Sequence, residues 1–154
     1  MDNEIRQKAL AYLQALINQP LCYGQKYCNT ELYCFGFGDQ TELISSVNRK
    51  TIGCTHFVHV LCWFKIIWKN GETRVCKYYD NTPGENFHSN IQQLLGMKVK
   101  RIGLSDKNDL WLDFGDCWVA FATFENAEES WRYFTSNSQD PHLVASDSWL
   151  EFVI

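Results

Sequence analysis

The stretch from Leu94 to Phe134, LLGMKVKRIGLSDKNDLWLDFGDCWVAFATFENAEESWRYF, decides the fold. Leu94-Leu95-Gly96 reads as a helix terminus, since Gly at the C′ position takes the left-handed backbone that ends a helix. Leu110, Leu112 and Phe114 alternate with Trp111 and Asp113, the period of a strand with two unlike faces. Gly115-Asp116 fits a two-residue hairpin turn that wants Gly first. These signals predict a strand over 98–104, a turn at 106–108, a hairpin over 109–124 and a short helical turn within 125–134.

A weaker copy of the pattern lies upstream. Leu16-Ile17-Asn18 matches Leu94-Leu95-Gly96, and Glu31-Leu32-Tyr33-Cys34 matches Asp109-Leu110-Trp111-Leu112, both at an offset of 78. Asn18 stands where Gly96 does, and Asn is the next-best residue for a left-handed helix end. Phe37-Gly38-Asp39 matches Phe114-Gly115-Asp116 at 77, which implies one extra residue, as in a bulge; Trp63 and Trp131 match at 68. The expectation is one domain over 1–154 built as a degenerate helix-strand-hairpin duplication, with halves at about 3–68 and 82–134. Its class is α+β, with an antiparallel sheet and two main helices packed on it.

Working outward, Asp2 or Asn3 caps a first helix whose apolar stripe is Ile5, Ala9, Leu13, Leu16 and Ile17, and Pro20 stops it. Thr82 caps the second, with Pro83 in its first turn and Phe87, Ile91, Leu94 and Leu95 as its stripe. Residues 21–28 and 31–37 read as strands and 40–53 as a loop. The run from Thr55 to Trp68 reads as a single long central strand, apolar on both faces. Asn70-Gly71 then turns the chain into a return strand over 73–79. Residues 143–145 and 149–153 close the chain as strands.

The 154 residues suit one substantial core, and 15% aromatics predict large side chains within it. No stretch is apolar and long enough to span a membrane, and Met1-Asp2-Asn3-Glu4 lacks the regions of a signal peptide, so the cytoplasm is expected. Seven cysteines, an odd number in a chain of this size, are then expected to be reduced. Charge is uneven: residues 1–76 carry a net +2, residues 77–154 a net −6, and from Ile102 onward the net is −8. Such a segment repels nucleic acid and membrane surfaces and attracts basic partners; a plain solvated surface has the same composition.

Chemistry-bearing motifs are sparse. Cys54, His56 and His59 cluster in sequence, but in a strand 54 and 56 face one way and 59 the other, so no metal site is expected. The same segment gives no sign of an activated thiolate. No Gly-rich phosphate loop appears, and Glu128-Glu129 point apart, which does not suit a shared catalytic proton. Tyr23, Tyr27, Trp68, Tyr78 and Tyr79 lie near lysines, but the acidic balance opposes nucleic-acid binding. No catalytic residue and no cofactor is expected.

Leu95-Gly96, Asp109-Leu110-Trp111-Leu112-Asp113-Phe114, Glu129-Ser130-Trp131-Arg132-Tyr133-Phe134 and Pro141-His142-Leu143-Val144 together resemble small bacterial immunity proteins of polymorphic-toxin and contact-dependent growth inhibition systems. Glu31 to Gly38 and Cys62-Trp63 extend the resemblance into the first half. It implies a cytosolic antidote that binds one cognate toxin domain, with a nuclease as the expected toxin. An acidic partner can steer onto a nuclease's basic cleft and cover it. Asp106, Asp109, Asp116, Glu125, Glu128 and Glu129 are the expected contacts, because turns bring them near hairpin ends. Trp118 or Trp149 is the candidate anchor, although core is the commoner role for either, as for Trp131. The competing expectation is a small-molecule-binding protein or an enzyme, which needs a deep pocket with converging polar groups.

Overall fold

A computed structural model of the chain describes residues 3–26, 32–38, 41–44, 50–61, 64–71, 73–76, 85–125 and 128–154. In chain order these form α1 (Asn3–Leu13) with a 3-10 turn (Gln14–Leu16), β1 (Leu21–Lys26), β2 (Tyr33–Phe37), β3 (Thr41–Ile44), β4 (Lys50–Gly53), β5 (His56–Val60), β6 (Phe64–Trp68) and β7 (Thr73–Cys76). Then follow α2 (Glu85–Leu94), β8 (Arg101–Leu104), β9 (Leu110–Asp113), β10 (Cys117–Phe121), β11 (Trp131–Thr135), β12 (His142–Ala145) and β13 (Leu150–Val153). The expected caps at Asp2 and Thr82-Pro83, and Trp63, lie outside the described residues.

Antiparallel pairing and the α+β composition are as the sequence suggests, but the strands build two main sheets, not one. The first, sheet 1, has the order β1-β2-β5-β11-β12-β13. The second, sheet 2, has the order β7-β6-β10-β9-β8, and β3 pairs with β4 alone. Two facing sheets let both sets of alternating apolar residues be buried, which one sheet and two short helices could not do. Tyr33 and Phe35 of sheet 1 meet Phe64 of sheet 2 edge-on at 5.2 Å, and Phe35 meets Phe121 at 5.1 Å. Helix α1 packs against the edge strands β8 and β13 and sets Tyr12 edge-on to Tyr133 of β11 at 5.2 Å, and α2 packs against the edge strands β1 and β7. Each helix thereby closes one side of the sandwich and brings Ala9, Leu13, Ile91 and Leu94 into the core.

Three local readings change. The run from Thr55 to Trp68 is not one strand: β5 ends at Val60, and β5 and β6 join different sheets. Inward parity survives the break, because Val58, Val60, Phe64 and Ile66 are all buried. Residues 40–53 contain the β3–β4 hairpin, not only loop. Residues 131–135 form a strand, not a helical turn, with Trp131 and Tyr133 buried and Arg132 and Phe134 half-buried, which is period two.

The cysteine expectation is also corrected. Cys22 is disulfide-bonded to Cys54, 32 residues on, with Cα atoms 6.8 Å apart. The β1–β2 register shifts between Leu21 and Tyr23, a bulge that places Cys22 beside the approach to β5. Cys34 and Cys117 are buried thiols. Among the described residues no helix is long and apolar enough to cross a membrane.

The strand registers of residues 21–37 and 101–113 correspond at an offset of 78 for β1 and β8 but 77 for β2 and β9, so Cys34 matches Trp111 and not Leu112 as the sequence offset has it. Tyr23–Gly36, Gly24–Phe35 and Gln25–Cys34 of β1–β2 match Arg101–Asp113, Ile102–Leu112 and Gly103–Trp111 of β8–β9. β5 of the first half pairs with β11 of the second, and β10 of the second with β6 of the first: Val60–Trp131 in sheet 1 matches Phe121–Phe64 in sheet 2.

Candidate functional site

Sheet 1 and sheet 2 meet the same cluster of loops at one end. Asn108 holds that cluster together. It is fully buried with φ at 62°, in the left-handed region that Asn tolerates. Its side-chain amide donates to the carbonyls of Ser146 at 2.9 Å and Trp149 at 3.2 Å. Its own carbonyl accepts the Trp131 indole N–H at 2.8 Å, and its side-chain oxygen accepts from Arg6 of α1 at 3.4 Å. Thr123 donates its backbone N–H to Asp109 at 2.8 Å and its hydroxyl to the Lys107 carbonyl at 2.8 Å. Leu61 N–H donates to Ser130, and Ser130 N–H to Ala145, each at 2.8 Å. Segments 105–109, 122–125, 128–130 and 146–149 therefore share one end of the sandwich.

The expected contact residues divide accordingly. Asp106, Glu125 and Glu128 are exposed in three of these segments. Asp109 stands among them but is committed to structure, since it accepts from the Thr123 N–H and from the Ser105 hydroxyl. Glu129 is half-buried and grips Arg132 in a bidentate pair, with Nε to Oε1 at 2.8 Å and Nη2 to Oε2 at 2.9 Å. Trp149 is half-buried in the 146–149 turn. Asp116 lies elsewhere, exposed in the β9–β10 turn at the opposite end, where its carbonyl accepts from Lys69. Trp118 lies on the outer face of sheet 2. Its ring centroid is 5.3 Å from that of Trp111, and Arg101 stands over it at 5.8 Å. Asp113 fixes Arg101 through Nε at 2.9 Å and Nη2 at 2.7 Å. Burial pushes the Asp113 carboxyl up, but the Gly115 N–H and Arg101 outweigh it and hold the carboxyl below its ordinary value.

From Glu129 the site continues onto the outer face of sheet 1, into residues that the sequence reading missed. Arg132 also donates to Nδ1 of His142 at 3.0 Å; a guanidinium only donates, so this nitrogen carries no proton. His142 stacks on Phe134 at 4.6 Å, and Phe134 stacks on Phe57 at 5.2 Å. His59 meets Phe134 edge-on at 4.7 Å. Burial lowers the pKa of both imidazoles, Arg132 pushes the same way, and Glu129 opposes. Reading 131–135 by period two would have found this row, because it sets Arg132 and Phe134 on one face.

His56 points to the inner side, 3.0 Å from the Tyr133 hydroxyl, so His56 and His59 face opposite ways as strand parity requires. Burial pushes the Cys117 thiol up to about 12, which keeps it un-ionised. Among the described residues no group of three His, Cys, Asp or Glu side chains is placed to hold a metal. The arrangement offers an acidic rim of Asp106, Glu125 and Glu128 beside a pre-positioned Arg132–aromatic row. No protein-family model, no curated protein and no solved structure matches the chain.

Proposed function

We propose that this is a cytoplasmic immunity protein that binds a cognate bacterial toxin domain of the nuclease type and occludes its basic active-site surface. The observation that carries this reading is the convergence of Asp106, from the β8–β9 loop, and Glu125 and Glu128, from the β10–β11 loop, on one end of the sandwich around Asn108. Acid groups so placed attract a basic surface from a distance. The Arg132–Phe134–His142 row next to them has the residue types that anchor interfaces, held in one geometry by Glu129. The matching strand registers support, within the same reading, two copies of one helix-and-strand unit. In this reading Asp116 and Trp118 leave the contact set.

The test is kinetic. With the toxin domain encoded immediately upstream, Glu125→Lys with Glu128→Lys should slow association several-fold, about tenfold at low salt, and less as salt rises. Phe134→Ala should act mainly on dissociation. The parent protein should rescue growth of cells expressing the toxin. Absence of both binding and rescue ends the immunity reading. Tight binding that ignores charge reversal and salt ends the acidic-steering part alone.

A further inference from the structure

The two halves of the chain hold each other by bonds that come in mirrored pairs. After α1 and after α2 the backbone turns through Asn18, φ 68°, and Gly96, φ 84°, and the segments that follow run side by side. Pro20 and Lys98 form an antiparallel bridge. Around it, Asn18 N–H donates to Val99 at 2.7 Å and Gly96 N–H to Leu21 at 2.9 Å. Leu21 N–H donates to Met97 at 3.0 Å and Val99 N–H to Gln19 at 3.1 Å. A shift of 78 in numbering turns each bond into its mate, with donor and acceptor halves exchanged. Phe37 and Phe114, equivalent at 77, stack on each other at 6.5 Å. A tandem array does not behave this way; its units repeat a contact in one direction. Reciprocal contacts mark a twofold relation through Pro20 and Lys98.

The sheets obey the same relation. Sheet 1 takes β1, β2 and β5 from the first half and β11, β12 and β13 from the second; sheet 2 takes β8, β9 and β10 from the second half and β6 and β7 from the first. Neither half holds a complete main sheet. Every strand one half lacks is supplied by the other, across β5–β11 and β10–β6.

We propose that the halves, residues 3–76 and 85–154, are exchangeable between molecules, so that a second copy of this chain is a partner the fold accepts. In the half-exchanged dimer the first half of each chain closes on the second half of the other, with the same bonds as in the monomer. Residues 77–84 join the halves within one chain and favour the monomer by effective concentration. The dimer gains as protein concentration rises. This exchange does not depend on toxin binding.

Complementation between full-length variants tests it. Leu16 and Leu94 are equivalent and fully buried, one in each half. Leu16→Asp and Leu94→Asp each place a carboxylate in the core and lower stability strongly. In urea that unfolds either variant but not the parent, a mixture of the two should regain native tryptophan fluorescence, to at most half the parent's signal per chain. Half-exchange assembles one sandwich from two intact halves and one from two damaged ones. The recovered species should be a 1:1 dimer by light scattering and should increase with concentration. Leu13→Asp mixed with Leu16→Asp, both damaged in the first half, should recover nothing. A Leu16→Asp and Leu94→Asp mixture that stays the average of its parts, or recovery in the same-half control, overturns the proposal.

Discussion

The outer faces of the two sheets use one register and different side chains. On sheet 2, Trp111 lies across Gly103, packs on Trp118, and has Arg101 and Asp113 beside it. The matching positions on sheet 1 are Cys34 for Trp111, Gln25 for Gly103 and Phe57 for Trp118. Sheet 1 adds His59 and Arg132 where sheet 2 has Ala120 and Lys65, and His142 at the register position that Thr73 holds in β7. At the bridge end, Cys22 is bonded to Cys54, whereas the matching Lys100 and Gly115 merely adjoin. The same backbone is thus secured by a covalent link on one side and by aromatic packing on the other. Among the described residues, imidazoles stand on the outer face of sheet 1 and not on that of sheet 2.

The largest expected difference is covalent. A bond closing a 32-residue separation restricts the unfolded chain by about 3–4 kcal/mol on the chain-entropy account. Reductant, or Cys22→Ala with Cys54→Ala, should lower stability in urea by that order. Alkylation of denatured protein should give two fewer labels without reductant than with it. Equal label counts and an unchanged midpoint would show the pair to be thiols. That outcome would remove the covalent half of the comparison and restore the reducing compartment as sufficient.

Next in size is Gly103. A Cβ built there falls 1.9 Å from the Trp111 ring, so the indole must leave. Gly103→Ala should cost about 2–3 kcal/mol by overpacking, against about 0.5 or less for Gln25→Ala at the exposed matching position. Trp111→Ala opens the space, so the double variant should lose less than the two single losses added. Similar small effects at 25 and 103 would mean that the two faces are not secured differently.

These contrasts show which parts of the molecule were readable from residues. Asn18 and Gly96 announced both helix ends because the left-handed backbone limits what stands there, and both positions have positive φ. Alternation announced β9 and β10. It failed for the run from Thr55 to Trp68, because inward parity is the same whether a strand continues or its second half enters another sheet. The acidic loops were legible as surface, since charge favours solvent, but not which of them meet. Asn108 decides that, and a lone Asn in a turn looks the same whether it caps a turn or ties down three loops. The Cys22–Cys54 bond depends on a bulge, which leaves no periodic mark. The imidazole row was hidden because Glu125 to Phe134 has the acidic, mixed composition of a helical turn.

The smallest effect separates the two faces by pH. Burial, reinforced by Arg132 and opposed by Glu129, keeps His59 and His142 below the ordinary imidazole value of 6.5. His142 must also stay unprotonated at Nδ1 to accept from Arg132. The unfolded chain takes up these protons near 6.5, and the folded chain only at lower pH. Stability is therefore fully present above that value and is lost as pH falls through the depressed values. His56, lowered by burial on the inner side, adds in the same direction. Asp113 does not enter this window, because its carboxyl is held below 3.8. Copying sheet 2 onto sheet 1, with His59→Ala and His142→Thr, should leave the melting temperature near its parent value at about pH 7.5 and reduce its fall toward about pH 5. His56 should preserve a remnant of the slope. An unchanged slope would assign the acid sensitivity to the inner imidazole alone and make the two outer faces equivalent in titration.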